Sequence, residues 1–100
     1  MKKLLQIDFP YSGPFGEQMT QALTEIAESI NQEPGLIWKI WTENAEQQTG
    51  GGIYLFEDAD TAKAYLAMHS ARLQQMGIQD IRGQIFDINP ELSRINQGPF

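Results

Sequence analysis

The stretch EPGLIWKIWTE, residues 33–43, decides how this chain folds. Pro34 and Gly35 break whatever precedes them, and the residues that follow are rich in Ile and Trp, which reads as a β-strand. Trp38 and Trp41 are the only two tryptophans of the chain and stand three apart. An odd spacing on a strand sends two side chains to opposite faces of the sheet. Each face therefore carries a large aromatic, and something has to cover both.

Upstream, Leu4–Phe9 alternates and stops at Pro10, which predicts a first strand. SGPFGE follows, with Ser12 or Gly13 as N-cap, Pro14 at the first helical position and Glu17 near the positive helix start. Phe15, Met19, Leu23, Ile26 and Ile30 then recur at helical spacing. Downstream, ENAEQQTGGG reads as a polar loop and Ile53–Phe56 as a third strand, antiparallel to the second. Asp58 or Asp60 caps a second helix whose inward stripe is Ala62, Tyr65, Leu66, His69, Leu73 and Met76, with Gly77 as its stop. Ile78–Ile88 predicts a fourth strand, and Asn89-Pro90 opens a short helical turn.

The order β-α-β-β-α-β predicts an α+β, ferredoxin-like fold: one domain over residues 1–100, with a four-stranded antiparallel sheet and two helices on one face. Strand parity assigns Leu5, Ile7, Phe9, Leu36, Trp38, Ile40, Ile53, Leu55, Ile81 and Ile85 to the helix-covered face. The other face receives Ile37, Lys39, Trp41, Tyr54, Phe56 and Phe86, among polar groups such as Asp8, Arg82 and Gln84. Left open, such a face would expose on the order of several hundred Å² of apolar surface. A second copy of the chain covers it most economically, so the expectation is a homodimer with sheets packed face to face. Asp8, Arg82 and Lys39 would then pair with one another.

Composition narrows the function. The net charge of −6 and the absence of a Lys/Arg cluster argue against nucleic acid or an anionic membrane as partner. No apolar run approaches a membrane span, and Gln6 and Asp8 interrupt the N-terminal apolar run too early for a signal peptide. The chain has no cysteine, which removes disulfides, thiolate metal sites and a Cys nucleophile and fits a reducing compartment. The expected location is the cytoplasm. With one histidine and no cysteine, an intrinsic transition-metal site is not expected. GGG at 50–52 lacks the following helix and Lys of a phosphate loop and reads as hairpin or bulge glycines.

The segments SGPFG (12–16), LTEIAESINQEPGLIWKIWTE (23–43), GGIYLFED (51–58), AYLAMHSARL (64–73) and IFDINPELSRINQ (85–97) resemble the YdhR family of small bacterial monooxygenases. That family belongs to the dimeric α+β barrel superfamily, as the antibiotic-biosynthesis monooxygenases do. The resemblance implies ferredoxin-like protomers whose sheets meet in a dimeric barrel, and cofactor-independent oxygenation of a small aromatic or phenolic compound. It supplies no catalytic motif that can be carried over residue by residue.

Position alone then selects the candidates. His69, on the inward stripe of the second helix, is the expected catalytic base toward a phenol, and is otherwise a half-buried histidine bonded to backbone. Trp38, Tyr65 and Phe15 could stack on a flat guest, or simply fill the core, and Arg72 would close the pocket mouth. Trp41 and Tyr54, with Lys39, Arg82 and Gln84, form a rival pocket on the dimer face, where a cation could hold a carboxylate or phenolate. The leading expectation is a cofactor-independent monooxygenase for aromatic compound metabolism. The alternative is a non-catalytic dimer that binds a small molecule, either a haem or another planar guest.

Overall fold

Alternation in the N-terminal segment produces strand β1, Lys3–Pro10, in a computed structural model that describes all residues from Met1 to Phe100. Helix α1, Gly16–Ile30, follows. Phe15 stands at its N-cap without a side-chain cap, and Pro14 lies outside the helix behind a cis Gly13–Pro14 bond. The free N–H of Gly16 instead donates to the Glu43 carboxylate at 2.9 Å, a negative charge at the positive helix end. Glu43 belongs to strand β2, Leu36–Asn44, so this bond ties helix to sheet.

Strand β3, Thr49–Phe56, is longer than the sequence suggests, because all three glycines at 50–52 lie inside it. The turn before it is held by Asn44, whose side-chain oxygen accepts from the Gln47 N–H at 2.9 Å. Asp58 caps helix α2, Ala59–Gln75, accepting from the Thr61 N–H at 2.8 Å. Strand β4 is short, Arg82–Asp87. Asn89 caps helix α3, Pro90–Ile95, with Pro90 at its start.

The sheet order is β2-β3-β1-β4 with every pair antiparallel, which with α1 and α2 makes the ferredoxin-like α+β fold. Leu5, Ile7, Phe9, Tyr54 and Phe56 form one buried cluster with Ile30 of α1 and Ala62, Tyr65 and Leu73 of α2. Both long helices therefore pack on the face that these strand residues share.

That face differs from the one parity predicts in β2 and β3. Directly opposed residues of an antiparallel pair lie on the same face. Leu5 opposes Tyr54 and Ile7 opposes Gly52, so Tyr54 and Phe56 point to the helices. Ile53 and Leu55 point away. In β2 the register slips between Leu36 and Trp38, where Leu36 opposes Phe56 but Trp38 already opposes Leu55. Ile37 is the extra residue of a β-bulge, and beyond it the alternation inverts. Lys39 and Trp41 face the helices, whereas Trp38 and Ile40 lie on the open face. β1 follows the expected parity, and Ile85 of β4 opposes Leu5 as expected, while Ile81 precedes its strand. Of the three charged groups expected to pair, Asp8 and Arg82 do, with Arg82 Nε donating at 2.7 Å. No helix is long and apolar enough to cross a membrane.

Candidate functional site

The bulge at Ile37 builds the site. It turns Lys39 and Trp41 inward, opposite Tyr54 and Gly52 of β3. From α2, His69, Arg72 and Leu73 reach the same space, one helical turn apart, and Met19, Leu23 and Ile26 of α1 close it. The result is a cavity of about 60 Å³, ten of whose fourteen lining residues are hydrophobic. Gly50 and Gly52 of β3 lie beneath side chains that line this space. A Cβ on Gly52 would stand 2.8 Å from Lys39 Cε and 3.1 Å from the Tyr54 ring, and one on Gly50 would stand 3.1 Å from the Tyr11 ring. Their missing side chains are the room that Lys39, Tyr54 and Tyr11 occupy, so they are neither turn nor bulge glycines.

Inside the cavity two cations lack a carboxylate. The chain's ion pairs are Lys3–Asp87 and Arg82–Asp8, and neither involves Lys39 or Arg72. Lys39 Nζ sits 3.3 Å from the centroid of the Trp41 ring and 4.7 Å from that of Tyr54. Burial, with the Arg72 guanidinium adding repulsion, brings the Lys39 ammonium down to about 7. Burial also drives the Tyr54 phenol well above its ordinary range and raises that of Tyr65. Their hydroxyls lie 3.4 Å apart.

His69 is buried, only 5% exposed, and its ring stacks on Tyr65 at 5.0 Å. The Arg72 guanidinium reaches Nδ1, at 2.9 Å from Nη2 and 3.3 Å from Nε. A guanidinium can only donate, so Nδ1 accepts and the ring proton resides on Nε2. Burial, then the nearby charges of Lys39 and Arg72, pull the imidazole down to about 3. The ring is thus neutral around pH 7, with its available lone pair already engaged. It fits a hydrogen-bond donor through Nε2 and not the base expected of it; the group poised to take a proton near neutrality is Lys39.

The two rival pockets of the sequence reading collapse into one. His69, Arg72, Trp41 and Tyr54 all line the cavity together with Lys39. Tyr65 stands behind them, 3% exposed and packed on Tyr54, Phe56 and His69. Trp38 is on the other face, its Nε1 donating to the Pro99 carbonyl at 2.7 Å, and cannot stack on a guest of this cavity. Phe15 lies one layer out, edge-on to Tyr11 with centroids 5.3 Å apart. Arg82 and Gln84 lie on the open face with Asp8 and Gln6. No group of three or more His, Cys, Asp or Glu residues could hold a metal ion. Lys39 is the residue that sequence reasoning undervalued. The available signal was the volume left free at Gly50 and Gly52, which large neighbours fill.

None of the curated proteins matches this sequence. Several solved structures share its fold. One is described as a "putative antibiotic biosynthesis monooxygenase" from Deinococcus radiodurans, with TM-score 0.63 and 14% identity over 87% of this chain and 92% of that one. A second is SnoaB, a cofactor-independent oxygenase from Streptomyces nogalater, with TM-score 0.63 and 14% identity over 88% of this chain and 93% of its own. A third is a protein of unknown function from Nitrosomonas europaea, with TM-score 0.59 and 14% identity over 88% and 89% of the two chains. At that identity the likeness is one of fold. The sequence itself decides the family: residues 4–99 match the one described as "Putative mono-oxygenase ydhR", and the chain belongs to it.

Proposed function

We propose that this protein is a cofactor-independent monooxygenase that binds a small phenolic compound as its anion in the cavity between the helices and the sheet. The observation that carries the reading is the pair of cations, Lys39 and Arg72, set without carboxylate partners in an otherwise apolar cavity. Such a site favours a guest that brings an apolar ring and one negative oxygen. The family description and the shared fold with a cofactor-independent oxygenase support the same chemistry. A haem is far larger than a 60 Å³ cavity, which disfavours that alternative.

In this mechanism the neutral Lys39 amine takes the phenolic proton. The resulting ammonium and Arg72 then hold the phenolate, and His69 Nε2–H donates to it. The electron-rich ring passes one electron to O2, and the radical pair combines into a C–O bond. Cleavage of the O–O bond leaves one oxygen on the ring and releases the other as water. For a hydroquinone the balance is hydroquinone plus O2 giving hydroxyquinone plus water, with all electrons supplied by the substrate. The working unit is a homodimer joined through the open sheet face, in a cytoplasmic setting that suits a chain without cysteine.

The test is oxygen uptake by the purified protein with hydroquinones and other single-ring phenols and no added cofactor. Uptake should exceed autoxidation and rise with pH through about 7, the value to which Lys39 is lowered. Lys39→Met should slow it about a hundredfold, the ordinary contribution of a general base. Saturable quenching of tryptophan fluorescence without oxygen uptake would replace the enzyme by a binding protein. Full activity in Lys39→Met would remove Lys39 from the mechanism.

A further inference from the structure

Outside the cavity lies a second hollow, of about 280 Å³, between α1 and the edge of β2. The two spaces share three lining residues: Met19, Leu23 and Trp41. Trp41 stands between them. Its ring carries the Lys39 ammonium at 3.3 Å, and 36% of the residue is open to solvent.

The two spaces differ in size and chemistry. The inner one, about 60 Å³, is under a quarter of the outer one, about 280 Å³, so the inner one sets the size of ring that can enter. It is apolar with two cations. The outer hollow has Thr20, Thr24 and Glu43 among its lining residues. Both threonine hydroxyls already donate to helix carbonyls, Thr20 to Gly16 at 3.3 Å and Thr24 to Thr20 at 2.5 Å. One Glu43 oxygen accepts from Gly16, and a carboxylate keeps further lone pairs. The side-chain oxygens of the outer hollow therefore offer acceptors, which suit a guest that brings hydroxyl or amino hydrogens.

We propose that Trp41 is the partition that limits the inner site to single-ring phenols, and that the acceptor-lined hollow beyond it is a second compartment of the same site. The proposal rests on the phenol-binding reading above and names its substrate class. With the indole in place a second ring fused toward the outer hollow meets Trp41, which lines both spaces. With the indole removed the two spaces join, and a second ring that carries a hydroxyl finds acceptors waiting.

The experiment is calorimetric binding of hydroquinone, 2-naphthol and 2,6-dihydroxynaphthalene under anaerobic conditions. The wild-type protein should bind hydroquinone at least tenfold more tightly than either naphthol. Trp41→Ala should gain at least tenfold for 2,6-dihydroxynaphthalene, and more than for 2-naphthol. Trp41→Phe, which keeps a ring under Lys39, should retain the wild-type order and serves as the folded control, with Trp41→Leu as a second opening variant should the alanine unfold. Naphthols that bind the wild-type protein as well as hydroquinone does would overturn the partition and leave the phenol site standing. So would folded opening variants with no gain for the larger rings. Failure of all three probes to bind the wild-type protein would overturn the phenol site and the partition together.

Discussion

His69 and Lys39 carry the same kind of burden at one site, in different pH ranges. Burial disfavours the charged form of both, but they differ in where the cost falls on the pH scale. His69 is lowered from 6.5 to about 3 on folding. Between those values the unfolded chain takes up a proton that the folded chain refuses, so stability falls as pH falls through that window. Lys39 is lowered from 10.5 to about 7. Between 7 and 10.5 the unfolded chain again holds the extra proton, so stability rises with pH across that range, and at pH 7 and below the buried ammonium weighs against the fold. His69→Gln should flatten the loss of stability between pH 6.5 and 4, and Lys39→Met should stabilise the protein at pH 7 by about 1–3 kcal/mol while removing the rise toward pH 10. Urea midpoints at pH 4, 5, 7 and 9 decide both. Unchanged profiles in the two variants would mean that neither group is desolvated as placed. Retaining a destabilising ammonium in a cavity is the kind of local conflict that binding sites tolerate and cores do not.

Among the elements, strand β3 divides its labour between fold and site, and two neighbouring glycines separate the two. A Cβ on Gly51 would stand 2.0 Å from the Ile7 carbonyl oxygen and 2.9 Å from Asp8 Cα, which is backbone and cannot step aside. A Cβ on Gly52 meets Lys39 Cε and the Tyr54 ring, and a lysine side chain can swing away. Gly51→Ala should therefore cost on the order of 2–3 kcal/mol by forcing β1 and β3 apart. Gly52→Ala should cost under about 1 kcal/mol yet weaken hydroquinone binding by displacing Lys39. Thermal unfolding and calorimetry on the pair check this; equal stability losses would contradict it. The same strand pair marks the limit of the sequence reading. Element order, the Asp58 and Asn89 caps and the inward stripe of α2 were legible, because each depends on local spacing and local hydrogen bonding. The faces of β2 and β3 were not. Continuing the alternation from Leu36 put Trp38 inside, and only the cross-strand register reveals that Ile37 is an inserted residue. Lys39, between Trp38 and Ile40, falls on the dimer face by parity until the bulge turns it toward the helices.

For the whole molecule, that inversion leaves the question of the open face in place and changes its occupants. Trp38, Ile40, Ile53, Leu4 and Phe86 now share it around a fully buried Leu55, with Ile40 52% and Phe86 36% exposed. The C-terminal tail reaches Trp38 through the Pro99 carbonyl and covers part of the patch, leaving the rest apolar. The face is also divided: the β2–β3 half is apolar, while the β1–β4 half carries Gln6, Asp8, Arg82 and Gln84, with Asp8 and Arg82 already paired within the chain. A two-fold axis through such a face can place apolar half on apolar half without burying an unpaired charge, which is what a stable self-association requires. The proposed homodimer should sediment at twice the 11.3 kDa of one chain at micromolar concentration. Ile40→Asp puts a carboxylate into the middle of the apolar half, and the variant should sediment as a monomer. Because Ile40 points away from the cavity that its neighbours Lys39 and Trp41 line, hydroquinone affinity in the monomeric variant should stay within about twofold of the wild-type value. A variant that remains dimeric would move the interface elsewhere. One that becomes monomeric and loses the phenol as well would mean that the partner copy helps to shape the site, and that the cavity within one chain is only part of it.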